Sequence, residues 1–365
     1  VSAARLVDVE QVRAGVDREL SSIVADLAHE AAELGADPGL VGELAAMITG
    51  GKRMRAALCY WSWRAHGGTP TDDEATRTVH RIGAALELFQ AAALIHDDVM
   101  DASATRRGRP SAHEGFATVH RDQGWSGPAA AFGTAAAIVL GDLTLIASDR
   151  AFTAAVGDAA EDHLRARAIY DRMRTEVTVG QYLDVRAQTQ PWGSPDLEEE
   201  RARDIVRSKS ARYSVEHPIT LGAALAGAPD PDLARCGRIG LALGEAFQLR
   251  DDLLGVFGDP EVTGKPAGDD LREGKRTVLV ARALRLGSPA DRDLITDRLG
   301  RRDLSDEEVA TLRDVLRRSG AAIAVERLIS EIAVPALTEL AAAPLESDGR
   351  TMLVRLGEAL VDRTA

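Results

Sequence analysis

The chain has 365 residues, and its 57 Asp and Glu outnumber 44 Lys and Arg to give a formal net charge of −13. That balance argues against a nucleic-acid partner, because phosphate backbones are bound by an excess of cations. It leaves room for small phosphorylated substrates held by a few local ones. Hydrophobic content of 45% with only 4% aromatic, carried mostly by Ala and Leu, favours packed helices over sheet.

Helical periodicity runs almost throughout, and no low-complexity or Ser/Gly linker divides the chain, so one large domain over 1–365 is expected. Val1 to Glu19 mixes charged and apolar residues without a signal-like run, and Cys59 and Cys236 match no metal spacing. The expectation is therefore a cytoplasmic protein without disulfides. Gly50-Gly51-Lys52-Arg53-Met54-Arg55 is the first basic element. From Ile82 an apolar face steps through Leu86, Phe89 and Ala93 to Asp97, so a long helix is predicted to end in the acidic patch Asp97-Asp98-Val99-Met100-Asp101. Positions i and i+4 share a helix face, which puts Asp97 and Asp101 side by side with Asp98 flanking them, and no neighbour in sequence neutralises that charge.

Arg106-Arg107-Gly108-Arg109-Pro110 follows as a second basic element. Ala129 to Ala147 is the most apolar stretch, but it is rich in small residues and interrupted by Asp142, so a buried helix is expected and no stable membrane insertion. Gly180-Gln181-Tyr182-Leu183-Asp184 and Lys209-Ser210 come next, then a second acidic patch, Asp251-Asp252-Leu253-Leu254-Gly255, with Asp259 beyond it. Lys265 and Lys275 close this basic and acidic alternation. Ser305 with Glu308 three residues on predicts a capped helix start, and 288–365 is expected to form helices without a catalytic cluster. No alternating strand is predicted anywhere. Carboxylates with no Cys or clustered His suit Mg²⁺ or Mn²⁺, and Mg²⁺ is commonly shared between a few carboxylates and substrate phosphates. Two such patches interleaved with cations predict a metal-bridged diphosphate site.

The set GGKRMR, LIHDDVMDASATRRGRP, GQYLD, KSARYS and FQLRDDLLGVFGDPEVTGKPAGDDLREGK, from about Gly50 to Val280, resembles the trans-polyprenyl diphosphate synthase family in order and approximate spacing. The resemblance implies an all-α, isoprenoid synthase-type bundle around a central apolar channel, with catalytic motifs within 50–280. It implies three Mg²⁺ ions per active site, a homodimer, and condensation of isopentenyl diphosphate with a carbocation formed from an allylic diphosphate. Asp97, Asp98 and Asp101 match the first metal motif, and Asp251 and Asp252 the second, whose fifth position is here Gly255. Arg106, Lys209 and Lys265 match residues that hold the allylic diphosphate, with Ser210 and Lys275 near them. Gly51, Lys52, Arg55 and Arg107 match the isopentenyl diphosphate pocket. Gln90 stands where many relatives carry His, Gln181 and Asp184 match a motif near the reaction centre, and Gln248 matches a residue beside the second metal motif.

The resemblance also bears on product length. Farnesyl synthases of the family block the channel with aromatic residues four and five positions before the first Asp, where this chain has Ala93 and Ala92. The next large residue on that face is Phe89, about 12 Å from Asp97 at ~1.5 Å per residue. That depth points to geranylgeranyl diphosphate, C20. A class I terpene cyclase shares the first motif but carries an Asn/Asp, Ser/Thr, Glu second motif and needs no GGKR. A non-catalytic partner subunit is expected to lose an acidic motif or the basic pocket.

Overall fold

The computed structural model describes residues 9–157, 161–258 and 268–362. Lys265 and Asp259 lie outside the described residues. Those residues are helical apart from connecting segments and one pair of two-residue strands, as the sequence predicts for the fold class. The chain packs as two compact units, each assembled from three stretches.

The first unit comprises Val1–Ala168, Pro218–Asp230 and Leu345–Leu353. Its helices include α1 (Val12–Glu33), α2 (Gly39–Ile48), α3 (Met54–Ala65), α4 (Asp73–Asp101), α5 (Ala112–Asp122) and α6 (Ala129–Val156). Helix α3 is buried on every side from Arg55 to Trp63, as befits the central element of a helical core. Helix α4 starts at Asp72, whose carboxylate accepts from the backbone N–H groups of Glu74 and Ala75 at 3.1 and 3.0 Å. It buries Val79, Ile82, Leu86, Phe89, Ala92 and Ile95 and ends at Asp101, where Ala102 turns left-handed at φ 51°. The predicted placement of the acidic patch at the end of a long helix is observed.

Helix α6 differs from the expectation of a buried helix. Only 28% of its most apolar window is buried, although it is the one described helix long and apolar enough to cross a membrane. Small residues, Gly133, Ala137, Gly141, Thr144 and Ser148, form the buried stripe, and Ser148 Oγ donates to the Ala85 carbonyl of α4 at 2.6 Å. Phe132, Val139 and Ile146, spaced by seven, lie exposed on the other side. Apolar content alone did not reveal that the small residues take the core side.

The strands Thr105–Arg106 and Arg109–Pro110 form a hairpin that the sequence did not predict. Arg107 and Gly108 make its two-residue turn, both at positive φ (54° and 72°), as a primed turn requires. Arg at the first of these positions is a weak signal, since Asn, Asp or Gly is preferred there.

The second unit comprises Ile169–His217, Pro231–Pro344 and Val354–Ala365. Helix α7 (Glu161–Thr189) enters it, followed by α8 (Pro195–Ile205) and a π-helix (Val206–Glu216); α9 (His217–Leu225) belongs to the first unit after His217, and α10 (Asp230–Phe257) to the second after Asp230. The short α11 (Asp269–Glu273) precedes α12 (Val278–Leu286), α13 (Pro289–Arg298), α14 (Asp306–Arg318), α15 (Ala321–Ala342) and α16 (Ser347–Val361). The predicted cap at α14 is present, with Ser305 and Glu308 closing a reciprocal capping box.

Eleven residues of π-helix are unusual, since π geometry mostly appears as single-turn bulges. Polar anchoring accompanies it. Glu176 of α7 lies 2.7 Å from His217 Nε2 and accepts from Arg212 of the π-helix at 2.9 Å and from Arg172 at 2.8 Å. Burial alone would raise the Glu176 carboxyl, but the hydrogen bonds from His217 and Arg172 and the charge of Arg212 outweigh it and hold it at about 2. A folded-state value below the ordinary 4.5 gives stability that is present above that pH and is lost as pH falls towards 2. Glu176→Gln is therefore expected to lower stability at pH 7 by on the order of 1–3 kcal/mol, and to lose less than the wild type between pH 4.5 and 3. Melting temperatures at the three pH values measure this, and parallel pH profiles would exclude the clamp.

Candidate active site

In the first unit, the end of α4 and the hairpin meet. Asp98 and Asp101 are buried, at 1% and 6% exposure, despite their charge. Arg106 folds back onto Asp98 and Asp97: its Nε donates to Asp98 Oδ1 at 2.9 Å and Oδ2 at 3.2 Å, its Nη2 also bonds Asp98, and Asp97 lies 3.5 Å from Nη2. A cation is thus seated at the patch, offsetting part of a charge that no neighbour in sequence was expected to offset. The partner is eight residues away and arrives through a turn, which helical i,i+4 reasoning does not capture. Gln90, Ala93 and Asp97 share one half-exposed face of α4, and Phe89 and Ala92 are buried beside it.

Three carbonyls at the C-terminal end of α2 gather the two basic elements. Arg109 Nη1 donates to Ala46 at 3.3 Å, Arg107 Nη1 to Met47 at 3.1 Å, and Arg53 Nη2 to Ile48 at 2.6 Å. These are carbonyls left over when a helix ends, and cations are favoured there. Arg53, left-handed at φ 52°, also donates to Asp17 at 2.7 Å and lies 3.5 Å from Glu87. It fixes the GGKRMR segment, a role not read from sequence, with Lys52 exposed and Arg55 buried on either side. Gly51 is buried against Arg53 and Arg107: a β-carbon there would stand 2.5 Å from Arg53 Nη1 and 3.8 Å from Arg107 Nη1. Burial pushes the Arg107 guanidinium down from its ordinary value; Glu87 opposes that, while Arg106, Arg53 and Arg55 add to it. Such crowding of cations favours an anion.

In the second unit a polar chain connects the remaining motifs. Lys209 Nζ of the π-helix donates to Asp184 of α7 at 2.6 Å. Next to it, Ser210 Oγ donates to Gln248 Oε1, and Gln248 Nε2 donates to Asp252 Oδ1 at 2.8 Å. Gly180 explains the glycine of GQYLD. A β-carbon there would strike the backbone of Ser208 and Lys209, so only glycine lets α7 approach the π-helix this closely. Gln181 is half-exposed beside it.

Burial raises the Asp252 carboxyl to about 7; Asp270 and Asp251 raise it further, and Gln248 and Lys275 oppose them. Lys275 Nζ lies 2.6 Å from Glu273 and 3.5 Å from Asp270. The crowded carboxylates fit a divalent cation that would offset their repulsion. All the donors are oxygens, as Mg²⁺ requires. Among the described residues no three His, Cys, Asp or Glu side chains form a ready-made cage.

His96, beside the first patch, packs on Gly141 and lies 3.2 Å from the Ile138 carbonyl, a structural role. His120 packs with Trp125 and Phe132.

Helical carboxylate motifs and gathered cations of this kind are those of a prenyltransferase acting on diphosphates. Residues 40–316 match the family model described as polyprenyl synthetase. A geranylgeranyl diphosphate synthase of Sulfolobus acidocaldarius is 30% identical over 74% of each chain, and an all-trans-nonaprenyl-diphosphate synthase of Rhodobacter capsulatus 32% over 86% of each. The crystal structure of geranylgeranyl pyrophosphate synthase from Corynebacterium glutamicum, complexed with isoprenyl diphosphate and magnesium, superposes with a TM-score of 0.88 at 34% identity, covering 100% of both chains. The chain belongs to the polyprenyl synthetase family and is a trans-prenyl diphosphate synthase.

Proposed function

We propose that this enzyme condenses isopentenyl diphosphate head-to-tail with an allylic diphosphate, with Mg²⁺, to give geranylgeranyl diphosphate. The observation that carries the reading is the pairing, within one unit, of an acidic motif already seated on a cation (Asp97 and Asp98 with Arg106) and a separate basic cluster around Gly51, Arg55 and Arg107. Two diphosphates need two such places, whereas a cyclase needs one. Retention of both acidic motifs and the basic pocket likewise disfavours a non-catalytic subunit.

In this reading Asp97, Asp98, Asp101, Asp251 and Asp252 hold the metal, and Mn²⁺ can replace Mg²⁺. Bound Mg²⁺ supplies positive charge at the leaving diphosphate oxygens. Arg106, Lys209, Lys265 and Lys275 add fixed charge there, and Arg106 has a planar fork suited to phosphate oxygens. Lys52, Arg55 and Arg107, with Gly51 giving them room, hold isopentenyl diphosphate, and Gln90 donates to a phosphate oxygen. Gln181 faces the allylic cation, while Asp184 and Ser210 set Lys209 and Gln248 in place through the bonds described above. Apolar walls keep water from the cation.

For product length, support comes from α4. Ala93 is half-exposed on the face of Asp97, and Phe89, one turn deeper, is 3% exposed and so held in place by packing. A C20 product would separate this enzyme from a relative such as the nonaprenyl synthase. The exposed stripe Phe132, Val139 and Ile146 on α6 supports a homodimer, since a second copy would cover it. Cys59 and Cys236, both buried and the only two thiols in the sequence, accord with a cytoplasmic location.

Incubation with isopentenyl diphosphate, Mg²⁺ and C5, C10 or C15 allylic diphosphates, with product sizing, tests the reaction. Asp97→Ala and Asp251→Ala should each reduce turnover by at least about 100-fold with the fold retained by circular dichroism. Near-normal turnover in either removes metal catalysis at that motif. In the same assay Ala93→Phe should shorten the main product to C15 and Phe89→Ala should lengthen it beyond C20; an unchanged Phe89→Ala distribution places the floor elsewhere. Sedimentation should give twice the chain mass, reduced to one by Val139→Glu with Ile146→Glu, and a wild-type monomer rules out the dimer.

A further inference from the structure

The second acidic motif has glycine at its fifth position, yet the space where a side chain at 255 would begin is not empty. A β-carbon built on Gly255 would fall on Asp270 Oδ2, with Asp270 Cγ at 3.1 Å and Oδ1 at 3.7 Å. Position 255 follows Asp251 by four residues and Asp252 by three, so it shares their region of the α10 surface. Asp270 belongs to α11, and its carboxylate therefore stands where an Asp at 255 would start to project its own.

The backbone holds it there. Gly268 N–H donates to the Gly255 carbonyl at 3.1 Å, tying the start of α11 to α10. At the other end, the Asp270 carbonyl accepts from the N–H groups of Gly274 at 3.1 Å and Lys275 at 3.0 Å. Gly255 is thus required for this approach: any side chain there would displace the Asp270 carboxylate.

We propose that Asp270 is a metal-site residue of the second motif, supplying from α11 the carboxylate that Gly255 does not carry on α10. This rests on the reading that Asp251 and Asp252 hold the metal. The competing role is that Asp270 only orients Lys275, whose Nζ lies 3.5 Å from Oδ1. The two differ in one respect. A carboxylate needed for metal can be returned from position 255, whereas a carboxylate needed to orient Lys275 depends on its place in α11.

The test is Mn²⁺ titration of the full-length protein with inorganic diphosphate present, following free Mn²⁺ by electron paramagnetic resonance. Asp270→Ala should weaken binding by about tenfold or more, the scale on which loss of a supporting metal-site group is felt. Asp270→Asn keeps the shape and should weaken it similarly, which guards against a loss that only reflects loosened packing. Gly255→Asp alone should lower the melting temperature, because two carboxylates compete for one space. Gly255→Asp combined with Asp270→Ala should recover Mn²⁺ affinity to within about threefold of wild type. Asp270→Ala and Asp270→Asn curves that superimpose on the wild type, or a double variant binding no better than Asp270→Ala, overturn the assignment. Should Asp251→Ala also bind Mn²⁺ normally, the metal reading of the motif falls and this assignment with it; normal binding in the Asp270 variants alone overturns only the role of Asp270.

Discussion

Burying charge is the constraint on which this molecule is built. Asp98, Asp101, Asp184 and Asp252 are all withdrawn from solvent, and isolated buried carboxylates are too costly to keep ionised. The fold answers with partners: Arg106 on Asp98 and Lys209 on Asp184 come from other segments, and Gln248 meets Asp252 from one turn earlier in α10. Arg106 and Lys209 are also among the groups proposed to hold the allylic diphosphate. Substrate and metal must then exchange with ion pairs that already exist, which keeps both kinds of side chain ordered before either ligand arrives.

Close backbone approach is the second requirement, and glycine meets it. Gly180 lets α7 meet the π-helix backbone at Ser208 and Lys209, and Gly255 leaves room for the Asp270 carboxylate of α11 against α10. In each case the glycine sits inside a motif whose other members are polar and easier to interpret. Its role is to set how near a neighbouring charge can come. The π-helix is consistent with this. Its residues Lys209 and Ser210 reach in one stretch to Asp184 and towards Asp252 through Gln248, while Glu176 holds Arg212 further along.

Local regularities were legible in the sequence: the all-helical class, the end of α4 at the first acidic patch, the capping box at Ser305, and the family motifs in order. These depend on spacings within a few residues. What escaped depends on contacts between distant segments or on rare backbone states. Arg106 reaches Asp98 through a chain reversal that begins at Ala102, left-handed at φ 51° beyond the end of α4. Arg53 needs Asp17, Glu87 and the end of α2 to become an anchor. On α6, apolar content was plain, but which face is buried follows from the fit of Gly133, Ala137 and Gly141 against neighbouring helices, and periodicity does not separate that from a core helix. Asp270 was hidden by a negative signal, a glycine in an acidic pattern.

Helix α4 joins the proposed metal motif to the proposed channel floor, and its rigidity links the two. Asp72 caps its start, Ser148 bonds its Ala85 carbonyl, and Ile82 through Phe89 are buried without interruption. Between Phe89 and Asp97 the separation is fixed by helical rise at about 12 Å. A side chain exchanged at 93 or 89 therefore moves the proposed floor along the helix while the carboxylate stays in place, as long as the helix stays intact. Ala at 92 and 93 serves both demands: it is the strongest helix former, and it leaves the face above Phe89 open. Under the proposed C20 reading, product length follows from which turn of one helix carries the first bulky side chain, with the diphosphate end of the site held constant.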